Sequence, residues 1–480
     1  MLTSEAIRLP GAALAERHAA HSGQYSFGDN ALLARQARRE SNARSYPRRI
    51  PLALKRAQGI YVEDVEGRVF IDCLAAAGTL VLGHNHPIVI EAIERALKSE
   101  LPMQTLDLTT PTKDEFVDEL FGMLPAAWAR QAKIQFCGPA GTDAVEAAVK
   151  LVKIATGRSG MFAFHGGYHG MSQGSLAMMG NLGPKKALQG SLHNVQFLPF
   201  PYAYRCPFGL GGEAGERAGL SYIQNLLSDP ESGVLPPAGV IVEAVQGEGG
   251  VIPSSSRWLG ALRDICTTHA VPLLLDEVQT GFGRTGKLFA FEHASITPDV
   301  LILSKAIGGG LPLSVVVYHE SLDRWQPGAH AGTFRGNQLA MAAGLATLRF
   351  IKRERLPERA DVLGRRLLSQ LSSHARTHAC VGEVRGRGLM IGIEIVEPNG
   401  AKDRQGHTQA CPELASSLQR ACLERGLILE LGGRHGSTVR LLPPLVISEV
   451  EIDRVAEIIG LALGDLRAPA QALPHASRSA

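Results

Sequence analysis

No stretch of this chain approaches the roughly 20 consecutive apolar residues that a membrane-spanning helix requires. The opening residues, MLTSEAIRLPGAALAERHAA, lack the uninterrupted apolar core of a secretory signal. Cysteine is sparse and scattered. Cys73, Cys137, Cys206, Cys266, Cys380, Cys411 and Cys422 form no CxxC pair, and an odd number so widely spaced argues against a disulfide framework; reduced thiols in the cytoplasm are expected. Charge of one sign is also lacking: a formal net charge of +3 over 480 residues directs the chain to neither nucleic acid nor a membrane surface. The one local excess, ten Lys and Arg against four acids (Glu5, Glu16, Asp29, Glu40) in residues 1–56, reads as a solvated basic arm. His165 and His169 stand i to i+4, but the glycines between them discourage a helix and no acidic or cysteine partner is near, so no metal site is expected.

What the chain does have is a regular alternation of strands and helices. GIYVEDVEGRVFIDCLA, from Gly59, alternates apolar and polar residues about a turn at Glu66-Gly67, the pattern of a β-hairpin. PIVIEAIERALKSEL repeats apolar residues at three and four, as an amphipathic helix does. From about 112 to 320, short apolar runs alternate with glycine-containing turns and helices: KIQFCG, SGMFAFHG, NVQFLPF, AGVIVEAVQ, VPLLLDEV, DVLILS, LSVVVYH. Runs apolar on both faces predict an α/β fold whose mostly parallel central sheet is covered on both sides. NQLAMAAGLATLRFIKRE starts a long helix leaving that unit, and VRGRGLMIGIEIV, LILELGG and VRLLPPLVIS predict a small α+β unit. The expected division is an arm at 1–58, the N-terminal part of a small domain with a linker helix at 59–111, a large domain at 112–340, the rest of the small domain at 341–466, and a disordered tail at 467–480.

Two of these apolar runs end on a polar residue. VPLLL ends on Asp276, and DVLILS ends on Lys305, 29 residues later. An ion buried without a partner costs several kcal/mol, and strand ends are where open α/β sheets bind ligands. A lysine that condenses with an aldehyde, together with an aspartate for a pyridinium nitrogen, is what pyridoxal phosphate chemistry requires. Gly138-Pro139-Ala140-Gly141-Thr142-Asp143 follows a strand and opens a helix, so its bare N–H groups and dipole suit a phosphate. Tyr168 and His169, in FHGGYHG, also follow a strand, where an aromatic ring could stack on a flat cofactor. Glu243 and Glu248 bring carboxylates to the same sheet edge, Gln279 could donate to a ring oxygen, and Thr333 offers a hydroxyl to a phosphate. Gly281 to Lys287 reads GxxxxGK, but Leu288 stands where a nucleotide loop needs Ser or Thr and no long helix follows.

As an ordered series, LGHNHP, GPAGTDAVEAA, GGYHG, EAVQGEGG, LLLDEVQTGFGRTG, LILSKAIGGGLP, HAGTFRGN and VRLLPPL resemble the class III (ω-)aminotransferases of the fold type I pyridoxal phosphate superfamily, from about Gly59 to Ile447. Within that class, the stretch from ESNARSYPRR to LGHNHP is similar to diaminobutyrate–2-oxoglutarate aminotransferases of diamine and siderophore metabolism. The resemblance implies pyridoxal 5'-phosphate carried on Lys305, with Asp276 facing the pyridine nitrogen, Gln279 the ring hydroxyl and Tyr168 a ring face, and His169 and Glu243 beside the cofactor. It implies that Gly141 and Thr142 bind the phosphate from one subunit and Thr333 from its neighbour in a homodimer, with higher oligomers left open. Arg440 would bind the α-carboxylate of glutamate and pair with Glu248. Pro139-Ala140 departs from the Asn-Ser of many relatives, which puts a side-chain phosphate contact there in doubt. The expected reaction moves the terminal amine of L-2,4-diaminobutyrate to 2-oxoglutarate. Ornithine, acetylornithine or 4-aminobutyrate as donor, a PLP-dependent aminomutase or racemase, and a cofactor-binding regulator without turnover stay open. No nucleic acid or membrane partner is expected.

Overall fold

The structure, a computed structural model, describes residues 11–186, 188 and 194–466; the expected tail at 467–480 lies outside the described residues. Its centre is a seven-stranded sheet of β1 (Ala132–Phe136), β2 (Met161–Phe164), β3 (Val195–Leu198), β4 (Gly239–Val242), β5 (Leu273–Asp276), β6 (Val300–Leu303) and β7 (Val315–His319). Their spatial order is β1-β7-β6-β5-β4-β2-β3. Every residue of β2, β4, β5 and β6 is buried, which is why these strands read as unbroken apolar runs. β7 alone runs antiparallel to its neighbours. The helix Gly141–Thr156 lays Ala144, Val145, Ala148, Leu151 and Val152 on the sheet and ends at Gly157, whose φ of +71° suits a left-handed cap.

This topology gathers the polar residues of the sequence motifs at one edge. Asp276 is the last residue of β5 and pairs with Ile302 of the parallel β6, two residues before the loop that carries Lys305. Gly141 follows β1, Tyr168 and His169 follow β2, and Glu243 is the first residue after β4. All leave the carboxyl ends of strands running in one direction, the usual ligand edge of such sheets.

Two smaller sheets flank the centre. In one, Leu54–Gln58, Tyr61–Asp64 and Val69–Asp72 form antiparallel pairs, and Leu427–Ile428 joins Val69–Asp72 in parallel. The other is antiparallel, in the order Val381–Arg387, Met390–Ile395, Thr438–Leu441, Glu430–Gly432. The arm read as solvated is instead docked. It carries helices Ala12–Ala19, Ala31–Arg39 and Tyr46–Arg49, with Leu14 and His18 buried on one face. His18 Nε2 lies 3.0 Å from the Gly426 carbonyl, and the Tyr25 amide donates to the Glu424 carbonyl. Among the described residues, no helix is long and apolar enough to cross a membrane.

Candidate active site

Lys305 opens a short 3-10 turn, Lys305–Gly308, with φ at +52°, a left-handed backbone uncommon for a side-chain-bearing residue and frequent where a chain is held for function. The turn is pressed against the helix Gln338–Arg353: a Cβ on Gly309 would sit 2.5 Å from the Ala343 carbonyl oxygen, and Gly309 itself has φ at +60°. Only glycine tolerates both conditions. Burial pushes the Lys305 pKa down, although the carboxylates of Glu248, Glu430 and Asp276 pull the other way. A lysine so placed is closer to a neutral amine than one in water.

Asp276 is buried, and both its oxygens are engaged. Oδ2 lies 2.7 Å from His169 Nδ1, and Oδ1 accepts from the Val278 amide at 3.1 Å. Burial disfavours a charged His169, but the hydrogen bond and charge of Asp276, with Glu243 beyond, raise its pKa above the ordinary value. Glu243, also buried, accepts from the amides of Tyr168 (2.9 Å) and Gly247 (2.8 Å). Burial, reinforced by the Asp276 charge, takes its pKa up to about 7.

The start of helix Gly141–Thr156 reaches this group directly. A Cβ on Gly141 would meet the Val278 side chain at 3.0 Å and the Ser304 Cβ at 3.6 Å, the neighbours of Asp276 and Lys305. The Ala140 amide is taken by Asp143 Oδ2 at 2.9 Å. The amides of Gly141 and Thr142 belong to the first turn, which has no intrahelical acceptors. The Thr142 hydroxyl turns instead to Ser175 Oγ at 3.0 Å and to Ser172. Gln279 donates from Nε2 to the Ala77 carbonyl at 3.0 Å, while its buried Oε1 has no partner.

On the other side of Lys305 stands Arg440, wholly enclosed. Its Nη2 lies 2.7 Å from Glu248 Oε1 and 2.8 Å from Glu430 Oε2. Burial opposes the cation, but the two carboxylates outweigh it and raise its pKa. Nε and Nη1 have no partner. Tyr46, from the docked arm, donates its hydroxyl to Glu430 Oε1 at 2.8 Å. Tyr168 keeps a partly exposed ring, and burial together with the charges of Glu248 and Glu430 raises its hydroxyl pKa.

Lys305, Asp276, His169, Glu243, Gln279, Gly141, Thr142, Tyr168, Arg440 and Glu248 therefore line one cleft. Thr333 stands apart: it is exposed at the start of the short turn Thr333–Gly336, and no hydrogen bond among the described residues ties it to the Lys305 group. Sequence reading missed Glu430 and Tyr46. The available signal was the single carboxylate in the apolar run LILELGG.

The sequence profile of the family "Aminotransferase class-III" matches residues 42–463. The chain is 59% identical over 435 residues to a protein of Rhizobium meliloti (strain 1021) named diaminobutyrate–2-oxoglutarate aminotransferase, covering 90% of this chain and 93% of that one. A protein of the same name from Haemophilus influenzae is 50% identical over 88% of this chain and 92% of its own. Among solved structures, an amine transaminase from an uncultivated Pseudomonas species in a PLP-bound form superposes with a TM-score of 0.79 at 28% identity, covering 92% of this chain and 99% of that one. An (S)-enantioselective ω-transaminase from Thermomicrobium roseum gives 0.81 at 26% identity, covering 92% and 99%.

Proposed function

The chain belongs to the class-III aminotransferases, and from that premise we propose that it transfers the terminal amino group of L-2,4-diaminobutyrate to 2-oxoglutarate, yielding L-aspartate 4-semialdehyde and L-glutamate. Its fold is fold type I, and its cofactor is pyridoxal 5'-phosphate. The observation that carries the donor is the 59% identity to the Rhizobium meliloti relative, sustained over nine-tenths of this chain.

The cleft fits the cofactor. First-turn amides suit a phosphate, the unpartnered Gln279 Oε1 and the second Nε2 hydrogen suit a ring hydroxyl, and Asp276 is held in place to face a protonated ring nitrogen. Once bound, pyridoxal phosphate supplies an aldehyde that condenses with amines and a ring that draws electrons from the bond being broken. Lys305 Nζ, its basicity lowered by burial, would take the proton from the amine-bearing carbon and deliver it to the carbon that had been the cofactor's aldehyde, and would carry it the opposite way in the half-reaction with 2-oxoglutarate. Asp276 would hold a proton on the ring nitrogen, and the His169 hydrogen bond keeps that carboxylate from turning. Arg440 stays paired with Glu248 while the donor's terminal carbon, which carries no carboxylate, reacts. When 2-oxoglutarate arrives, Arg440 takes its α-carboxylate through two hydrogen bonds.

We also infer a homodimer with shared sites. Thr333 is exposed and, among the described residues, makes no hydrogen bond to the Lys305 group, and beside it lie exposed Phe334, Met103, Leu106 and Leu108, an apolar patch of the kind that marks an interface. The seven cysteines are all free, which supports a reducing, cytoplasmic setting. A panel of amino donors with 2-oxoglutarate, scored by glutamate formed, tests the reading. L-2,4-diaminobutyrate should give the highest kcat/KM with aldehyde and glutamate in equal amounts; glutamate made faster from ornithine or 4-aminobutyrate, or none at all, overturns it.

A further inference from the structure

The cleft holds one more carboxylate than the handling of Arg440 needs. Arg440 bears a single positive charge, yet both Glu248 and Glu430 lie within 2.8 Å of its Nη2. Glu248 is part-exposed, whereas Glu430 is buried and held by the Tyr46 hydroxyl on Oε1. Glu430 Oε2 receives no aligned hydrogen bond. Burial raises the pKa of Glu430, with the Arg440 cation opposing and the Glu248 charge reinforcing the shift, and a second cation beside Glu430 would offset the cost of a buried carboxylate. Glu430 stays in place because its strand, Glu430–Gly432, is registered against Arg440 on Thr438–Leu441. A Cβ on Gly432 would sit 2.5 Å from Arg440 Nε, so this glycine leaves the guanidinium its room.

We propose that Glu430, with the Tyr46 hydroxyl, is the seat for the second, non-reacting ammonium of a diamino donor and so sets the preference for diamines over monoamines. The proposal rests on the donor assigned above. A donor reacting at its terminal amine carries an ammonium and a carboxylate at its far end. The free lone pairs of Glu430 Oε2 accept from the ammonium. Glutamate and 2-oxoglutarate bring no second ammonium, and Glu430 reaches them only through Arg440. The charge of Glu430 reaches Lys305 and Tyr168, the residues flanking the reacting end.

The test compares kcat/KM for L-2,4-diaminobutyrate and for 4-aminobutyrate, which lacks the second ammonium, in the holoenzyme and in Glu430→Gln. A charge-assisted hydrogen bond lost from such a site is worth about ten- to a hundredfold. Glu430→Gln should therefore reduce the diaminobutyrate/4-aminobutyrate ratio by about that factor, mainly through KM, with a smaller change in the glutamate half-reaction, which Glu430 reaches only through its contact with Arg440. Glu430→Asp should recover part of the ratio, and Tyr46→Phe should lower it by less than Glu430→Gln does. Spectral titration of cofactor-loaded Lys305→Ala should show by binding alone that adding Glu430→Gln weakens diaminobutyrate more than 4-aminobutyrate. An unchanged ratio, an equal fall for both donors, or a defect confined to the glutamate half-reaction overturns the proposal. A wild-type enzyme that makes no glutamate from diaminobutyrate instead overturns the assigned donor, so the two failures are separable.

Discussion

His169 Nδ1 sits 2.7 Å from Asp276 Oδ2, and both groups are buried at the end of β5. With its other oxygen on the Val278 amide, the Asp276 carboxylate has one orientation. A carboxylate fixed in this way can face a ring nitrogen without losing entropy on binding. Asp276→Ala would leave His169, and the ring nitrogen that Asp276 is proposed to face, without their carboxylate, a change worth about 3–5 kcal/mol. Cofactor titration should show weaker binding by several powers of ten, together with slower proton removal. Unaltered affinity and rate would contradict the role.

Arg440 should matter for one half-reaction more than for the other. Arg440→Ala would remove the proposed bidentate partner of an α-carboxylate and should slow the glutamate/2-oxoglutarate half by about ten- to a hundredfold. The half-reaction with the diamine should suffer less. Single-turnover spectra separate the two, and equal losses would contradict the exchange of partners at Glu248.

The buried acid Glu243 makes stability depend on pH. With a pKa of about 7 in the folded chain against an ordinary 4.5, the folded state keeps a proton that the unfolded state has shed between those values. Stability therefore falls as pH rises across that window and levels off above it, by about 3 kcal/mol in full. His169, with its raised pKa, adds a further loss as pH rises above its unfolded value of 6.5 and through its folded one. Unfolding of the cofactor-free protein should show this decline, and Glu243→Gln should flatten the part between 4.5 and 7. An identical slope in the variant would count against a protonated Glu243.

Mixing two damaged proteins tests the shared site. Lys305→Ala lacks its amine, and Thr333→Ala lacks the hydroxyl assigned to the neighbour's phosphate. If Thr333 serves the opposite subunit, a hybrid dimer contains one site with both residues intact, and refolding the two together should restore activity to about half of wild type per hybrid. No recovery would mean that Thr333 acts within its own chain or not at all.

Much of this cleft was legible because a charged residue at the end of a wholly apolar strand stands out, as Asp276 and Lys305 do. The direction of β7 was not. LSVVVYH is equally apolar whichever way it runs, and only the short link from β6, without a crossover helix, requires the antiparallel return. Glu430 escaped notice because a carboxylate within LILELGG reads as ordinary alternation along a strand. Its meaning depends on registry with Arg440 and on Tyr46, which is 384 residues away in sequence. The docking of the arm was hidden for the same reason: His18 meets Gly426 across 408 residues, and nothing local in either segment announces the other.

Borohydride reduction of the cofactor-loaded enzyme, followed by peptide mapping, addresses the chemistry of Lys305 most directly. A single pyridoxyl label per chain on the nitrogen of Lys305, absent from Lys305→Ala, is the expected result. A label on another lysine, or none in fully loaded protein, would contradict the account.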